Sequence, residues 1–333
     1  MRRVHSVEPL ILETSLDAVD GDLVPRELHF VRWHGPIPRV DAESYRLVVS
    51  GRAGDVVELS LGDVRGMPPR DVVAVLECAG NGRGLSGWTG VEGTPWGLGG
   101  VSCSPWTGVP VAALLEGAGL DAGAAEVVFT GAGEPPVRRS LPMSTVLDPD
   151  TIVAWAHHGL PLLPEHGAPL RLVVPGWYGM AWTKALLRID VVTEPWRGAW
   201  DSELYALRGP AHPSSPRLTT QAVKAVIARP ARGATVRSGE VQVAGFAWSG
   251  QGDVRDVSLR VDAGPYVAAE LRPRVGRGWT PWRASWHAKR GTHTLRARAT
   301  DGVGDAQPGE DEVPRNELGY SYNGTVPTTV TVE

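Results

Sequence analysis

Two cysteines and three lysines are all that a chain of 333 residues holds of either type. Cys78 and Cys103 are too few for a disulfide scaffold or a four-cysteine zinc site. No C-x-x-C-H haem attachment and no iron–sulfur spacing is present. Whether the two thiols bridge is a question of geometry that sequence does not answer. Of 33 basic residues only Lys184, Lys224 and Lys289 are lysines, which draws attention to each of them. No apolar run approaches the length of a membrane span. The opening "MRRVHSVEPLILETSLDAVDGD" has two arginines but neither the apolar stretch nor the cleavage site of a secretory signal. This predicts a cytoplasmic chain, or a periplasmic one if a signal has been removed. A net charge of −4 gives no reason to expect nucleic acid or an anionic membrane as partner. There is no internal repeat.

What remains is ordinary globular material, long enough for two cores. Residues 1–210 mix strand-like runs ("YRLVVSG", "DVVAVLE", "AEVVFTG", "PLRLVVPG") with a short amphipathic helix in "VPVAALLEGAGL". There Val111, Leu114, Leu115 and Ala118 share a side, and Gly119 stands near the end. "RGPAHPSSPRL" (208–218) is a linker by composition. From 219 to 333 the texture changes to short alternating strands: "VQVAGFAWSG", "VRDVSLRVDAG", "YVAAELR", "WRASWHA", "HTLRARATDG" and "PTTVTVE". This predicts an all-β sandwich of immunoglobulin-like type, without its cysteine pair.

One stretch carries chemistry. In "VLECAGNGRG" a buried strand (Val72, Val73, Val75, Leu76) runs into Cys78, and a glycine-rich loop with Arg83 follows. Three roles compete for the thiol: packing, nucleophile and metal ligand. Taken alone the loop favours an inert buried thiol. A nucleophile would need an oriented histidine that no motif here supplies.

The wider sequence changes that balance. "LECAGNGR" resembles the cysteine loop of the sulfite oxidase family of molybdenum enzymes, commonly "CAGNRR". "HFVRWHGPIP" (29–38) resembles its "FVRNHLPVP", and "GTPWGLGGVSCSPWTGVPVAALL" (93–115) its "GLPWxxGAIxxARWxGxxLxxVL". "LPEHGAPLRLVVPGWYG" (163–179) resembles "LPRDHGxPVRVVVPGxxG", Lys184 falls at the lysine of "VKWL", and "WDSELYAL" stands at "WQxxDYK". The likeness keeps the family's order over nearly the whole chain. It implies an α+β molybdopterin-binding catalytic domain (1–210) followed by an immunoglobulin-like dimerisation domain (219–333), and hence a homodimer.

The resemblance also assigns roles. Cys78 would bind molybdenum, together with the dithiolene sulfurs of one molybdopterin; a thiolate suits such a metal. His34, His166, Arg171 and Lys184 would hold the cofactor, the last three as a phosphate clamp. Arg32, Arg83, Trp96 and Tyr205 would form the catalytic pocket for a small oxyanion. The expected reaction is oxidation of sulfite to sulfate by oxygen-atom transfer at a molybdenum–oxo centre. Electrons would pass to a separate acceptor such as a cytochrome, with no haem or flavin in the chain. Reduction of nitrate or of an S- or N-oxide is the alternative. A cysteine hydrolase and a cofactor-free binding protein are the readings from other classes.

Cys103, His157 and His158 match no family ligand. Gly82 replaces the first arginine of "NRR", and Trp33 the asparagine of "RNH". In "PRNELGYSYNG" (314–324) Leu318 falls where a third pocket arginine stands, with Arg315 as a candidate substitute.

Overall fold

The computed structural model describes residues 2–51, 56–118 and 123–333. Gly119 of the expected helix end lies outside the described residues.

The first two-thirds of the chain is mostly sheet. A small antiparallel sheet joins Arg2–Val7, Leu10–Thr14 and Val31–Arg32. A second sheet runs in the order Leu160–Pro161, Ile152–His157, Val101–Pro110, Arg70–Glu77, with Arg171–Val173 also paired to Ile152–His157. A third runs Val56–Ser60, Arg46–Ser50, Leu186–Val192, Glu126–Gly131, Val137–Pro142. One core lies between the larger sheets, with Leu47, Val127, Phe129, Val153, Leu172 and Ile189 all fully buried. Helices are short. Leu61–Gly66 starts with a capping box: Ser60 accepts from the Asp63 amide, and the Asp63 carboxylate accepts from the Ser60 amide. The predicted amphipathic helix is Val111–Glu116, with Val111, Leu114 and Leu115 on its buried face.

The C-terminal part is two facing sheets. One runs Lys224–Arg229, Gly239–Trp248, Thr280–Ala288, Glu270–Leu271, and the other Thr235–Val236, Thr328–Val332, Gly291–Asp301, Val254–Val261, Tyr266–Ala268. Val243, Val257, Trp282, Leu295 and Val330 fill the space between them. "YVAAELR" is not one strand. Tyr266–Ala268 pairs with one sheet and Glu270–Leu271 with the other, so the chain changes sheets at Ala269. Periodicity of two survives such a crossing, which is why it cannot be read from the pattern.

The two parts share a third core. Leu16, Val24, Val75, Val101 and Cys103 pack with Val226, Phe246, Trp248 and Trp279. Both cysteines are free, and Cys103 is a packing residue in this core. Burial pushes its thiol up to about 12. Among the described residues, no helix is long and apolar enough to cross a membrane.

Trp279 is 1% exposed, stacks on Phe246 at 4.0 Å between ring centroids, and donates its indole N–H to the Asp22 carbonyl at 2.7 Å. Trp279→Ala is therefore expected to cost about 3–5 kcal/mol. Denaturant melts should show it as a lower midpoint of one transition, since a shared core couples both parts.

Candidate active site

The strand Arg70–Glu77 delivers Cys78 into a tight turn. The Asn81 amide donates to the Cys78 carbonyl at 2.9 Å, and the Arg83 amide to the Gly80 carbonyl at 3.0 Å. Gly82 takes φ +90°, and a Cβ there would meet the Tyr322 ring at 3.0 Å. A side chain at this position would be strained and would press on the Tyr322 ring, so glycine suits the turn.

Cys78 lines a cavity of about 370 Å³, within the ~300–1,000 Å³ usual for ligand sites. Seven of the nine expected site residues meet there: Arg32, His34, Cys78, His166, Arg171, Lys184 and Tyr205. They come from separate elements: Arg32 ends the strand Val31–Arg32, His166 sits in the turn Pro164–His166, Arg171 begins Arg171–Val173, and Tyr205 follows Trp200–Leu204.

One side of the cavity is cationic. Arg171 lies over Trp106 at 4.7 Å, and burial lowers it to about 9. Lys184 stands 3.7 Å over the Trp33 ring and donates to the Arg32 carbonyl. Burial first, then Arg171 and Arg32, hold its ammonium well below the ordinary lysine value. Among the described residues none of Arg32, Arg171 and Lys184 forms an ion pair with a carboxylate. Arg171 Nε and His166 Nε2 are buried without any partner. Buried donors of this kind fit an anion with several acceptor oxygens, and a phosphate ester has that form. Behind them His29, His157 and His166 stand with ring centroids 4.9–5.2 Å apart, and His157 stacks on Trp106. Sequence offered a signal for His166 alone in this histidine cluster, and none for His29 or His157.

The other side is a hydrogen-bonded chain whose proton positions follow from chemistry. Arg32 Nη2 lies 3.3 Å from His34 Nδ1, and His34 Nε2 lies 2.7 Å from the Tyr205 hydroxyl. Guanidinium only donates, so Nδ1 accepts. Burial, Arg32 and Lys184 lower His34 to about 3, so the ring is neutral. Its single N–H is then on Nε2 and points to the Tyr205 oxygen. The Tyr205 hydrogen is left free to face the cavity. Burial raises the Tyr205 phenol, which keeps that hydrogen in place. At Cys78 burial raises the thiol, while a backbone contact at Gly80, Arg32 and Arg83 pull it down. A soft metal ion replaces the thiol proton in such a setting.

Two expected residues lie outside the cavity lining. Trp96 is 1% exposed, packed edge-on against His5 and Phe30, and its carbonyl accepts from the Gly84 amide at 2.9 Å. Arg83 spends three donors on the carbonyls of Thr94, Leu318 and Gly319, at 3.0–3.3 Å, and lies 5.2 Å from the Tyr320 ring. Both support the cysteine loop from behind. Arg315 is exposed, donates to the Thr89 carbonyl at 2.8 Å, and is not part of the lining.

Comparison with known proteins accords with this geometry. Residues 34–200 match the family described as "Oxidoreductase molybdopterin binding domain". Sulfite oxidase from Mus musculus (mitochondrial) is 32% identical over 333 aligned residues, covering 92% of this chain and 61% of that protein. Sulfite oxidase from Gallus gallus is 32% identical, covering 92% and 72%. The chain therefore spans about three-fifths of the length of the mouse relative. The crystal structure of the sulfane dehydrogenase SoxCD from Paracoccus pantotrophus superposes with a TM-score of 0.88 at 27% identity, covering 98% of this chain and 87% of that one.

The buried histidines make an acid-stability prediction. His29 is lowered to about 3, and burial also lowers His157 and His166. The unfolded chain binds protons near pH 6.5 while the fold does not. Stability is therefore fully present above about pH 6.5 and is lost as pH falls toward about 3, at roughly 1.4 kcal/mol per pH unit for each such histidine. Guanidinium midpoints of the cofactor-free chain should fall between pH 7.5 and 5.5. His157→Phe should flatten that slope.

Proposed function

The chain belongs to the sulfite oxidase family of molybdopterin-dependent oxidoreductases, and we propose that it oxidises sulfite to sulfate. The observation that carries this reading is the cavity itself. A thiol, the Tyr205 hydroxyl and an arginine without a carboxylate partner among the described residues, Arg32, converge there beside the cations Arg171 and Lys184.

His166, Arg171 and Lys184 would hold the phosphate of molybdopterin, and His34 would contact the pterin. Cys78 would supply the protein's ligand to molybdenum. Bound there, the metal supplies two-electron oxygen-atom transfer; the chain supplies binding, orientation and charge. Arg32 offers planar, permanent charge to a pyramidal oxyanion. Tyr205, its oxygen fixed by His34, offers one hydrogen to a developing negative oxygen and loses none at neutral pH. Arg83 adds field rather than hydrogen bonds, since its donors are committed to the loop. Leu318 contributes only its carbonyl, to Arg83. The electrons would leave to a separate acceptor.

With Leu318 at one arginine position and Arg83 turned to the loop, sulfite is expected to turn over with a high KM that rises further with salt. Arg32→Met should raise KM by about one to two further decades, the cost of a charge-assisted hydrogen bond. Arg315→Ala should leave KM unchanged. The assay is steady-state sulfite oxidation with an artificial one-electron acceptor, run beside nitrate and sulfoxide reduction. Turnover of an oxide without sulfite activity, in metal-replete enzyme, would replace this reading with the reductase.

Cys78→Ser should abolish turnover and lower bound molybdenum while the melting temperature holds, because an alkoxide is a harder and poorer donor. Metal analysis beside a thermal melt checks it.

A further inference from the structure

Glu77 immediately precedes the cysteine and is 0% exposed. A carboxylate is seldom buried so completely unless its charge is met. Its Oε1 accepts from Lys224 Nζ at 2.8 Å and from Asn81 Nδ2 at 3.0 Å, and its Oε2 accepts from Trp248 Nε1 at 2.8 Å. Lys224 is 2% exposed and donates also to the Asn81 carbonyl at 3.2 Å.

The two outer donors come from the C-terminal sandwich. Lys224 and Trp248 are direct partners in the antiparallel pairing of Lys224–Arg229 with Gly239–Trp248. Opposite residues of such a pair face the same way. The sandwich therefore presents an ammonium and an indole N–H side by side to one carboxylate. Asn81 completes the circuit. Its Oδ1 accepts from the Gly100 amide at 3.0 Å, the Cys78 amide donates to the Gly100 carbonyl at 2.8 Å, and the Asn81 amide donates to the Cys78 carbonyl at 2.9 Å. Both backbone polar groups of Cys78 are thus tied into a network whose charge is balanced by Lys224. None of Glu77, Asn81, Lys224 and Trp248 lines the cavity.

We propose that Glu77 and Lys224 are positioning residues for the thiol. The pair clamps both ends of the four-residue turn 78–81 and sets the direction of Cys78 Sγ into the cavity. It also makes the cysteine's geometry depend on the docking of the sandwich. For catalysis the inference rests on Cys78 as the metal's ligand, but its central claim concerns the thiol and is testable without metal.

Removing Lys224 alone would strand a buried carboxylate and confuse folding with positioning. The informative variant is Glu77→Gln/Lys224→Met, which keeps shape and removes both charges. Trp248→Phe removes one donor with no change of charge, and it decides the matter if the double variant does not fold. Two readouts apply. The first is the alkylation rate of Cys78 by iodoacetamide in the full chain purified without cofactor, measured across pH so that thiolate rates are compared. Cys103 is the internal control. The second is the Mo(V) electron paramagnetic resonance spectrum of the loaded enzyme.

The double variant should melt near wild type, yet its Cys78 thiolate should react at least about tenfold faster, the scale of one lost charge-assisted hydrogen bond. Its Mo(V) lines should broaden or shift. Trp248→Phe should move both in the same direction by less. Wild-type alkylation and an unchanged spectrum in a folded variant would overturn the proposal. So would Cys103 becoming reactive in step with Cys78, which would mean general loosening. A chain that binds no molybdenum would sink the proposed function and leave the alkylation test standing.

Discussion

Positive charge buried without a counter-ion is the constraint on which this structure turns. Arg171 is buried and Lys184 half-buried beside Arg32, and no carboxylate is paired with them among the described residues. Such an arrangement costs folding free energy, which an anionic ligand can offset. The surrounding aromatics make it tolerable meanwhile. Arg171 lies against Trp106 and Trp182, and Lys184 over Trp33, so each cation meets a ring face. The neutral histidines behind them fit the same logic, since another cation there would add repulsion. The fold is thus arranged to receive negative charge where Cys78 waits.

The second organising fact is that the cysteine loop is built by both parts of the chain. Glycine carbonyls and amides of residues 97–100 hold it from one side. The segment 316–322 holds it from the other: Leu318 and Gly319 accept from Arg83, the Ser321 amide donates to the Ala79 carbonyl at 2.8 Å, and Tyr322 covers Gly82. A loop so fixed holds the Cys78 backbone in one place. The common apolar core of Val75, Cys103, Phe246, Trp248 and Trp279 supplies the rigid backing.

Where sequence and structure part company, the reasons are specific. Arg83 and Trp96 keep family positions yet face away from the cavity, because position in a motif says nothing about where a long side chain turns. Arg83 is pulled to three carbonyls that lie more than 200 residues away or across the loop. Arg315 was a candidate for the missing pocket arginine on proximity in sequence alone; in space it caps Thr89 at the surface. His29 and His157 carried no motif; the place of His157 beside Trp106 follows from the pairing of Ile152–His157 with Val101–Pro110, and His29 comes from the segment before Val31–Arg32. The three lysines, conspicuous only by scarcity, divide into a cavity cation, a buried partner of Glu77 and an exposed residue.

By itself the sequence determined most of the strands read from it, the short helix, the change of texture after 218 and the identity of Cys78 and six residues that meet around it. Those features are local, or are carried by motifs in a conserved order along one chain, and so survive without coordinates. Only the tertiary structure decided which charges are buried unpaired, that His34 stands between Arg32 and Tyr205, and that Lys224 reaches Glu77 across 147 positions of sequence. Each of these is set by distances between segments remote in the chain, and by how much water those segments exclude when they pack.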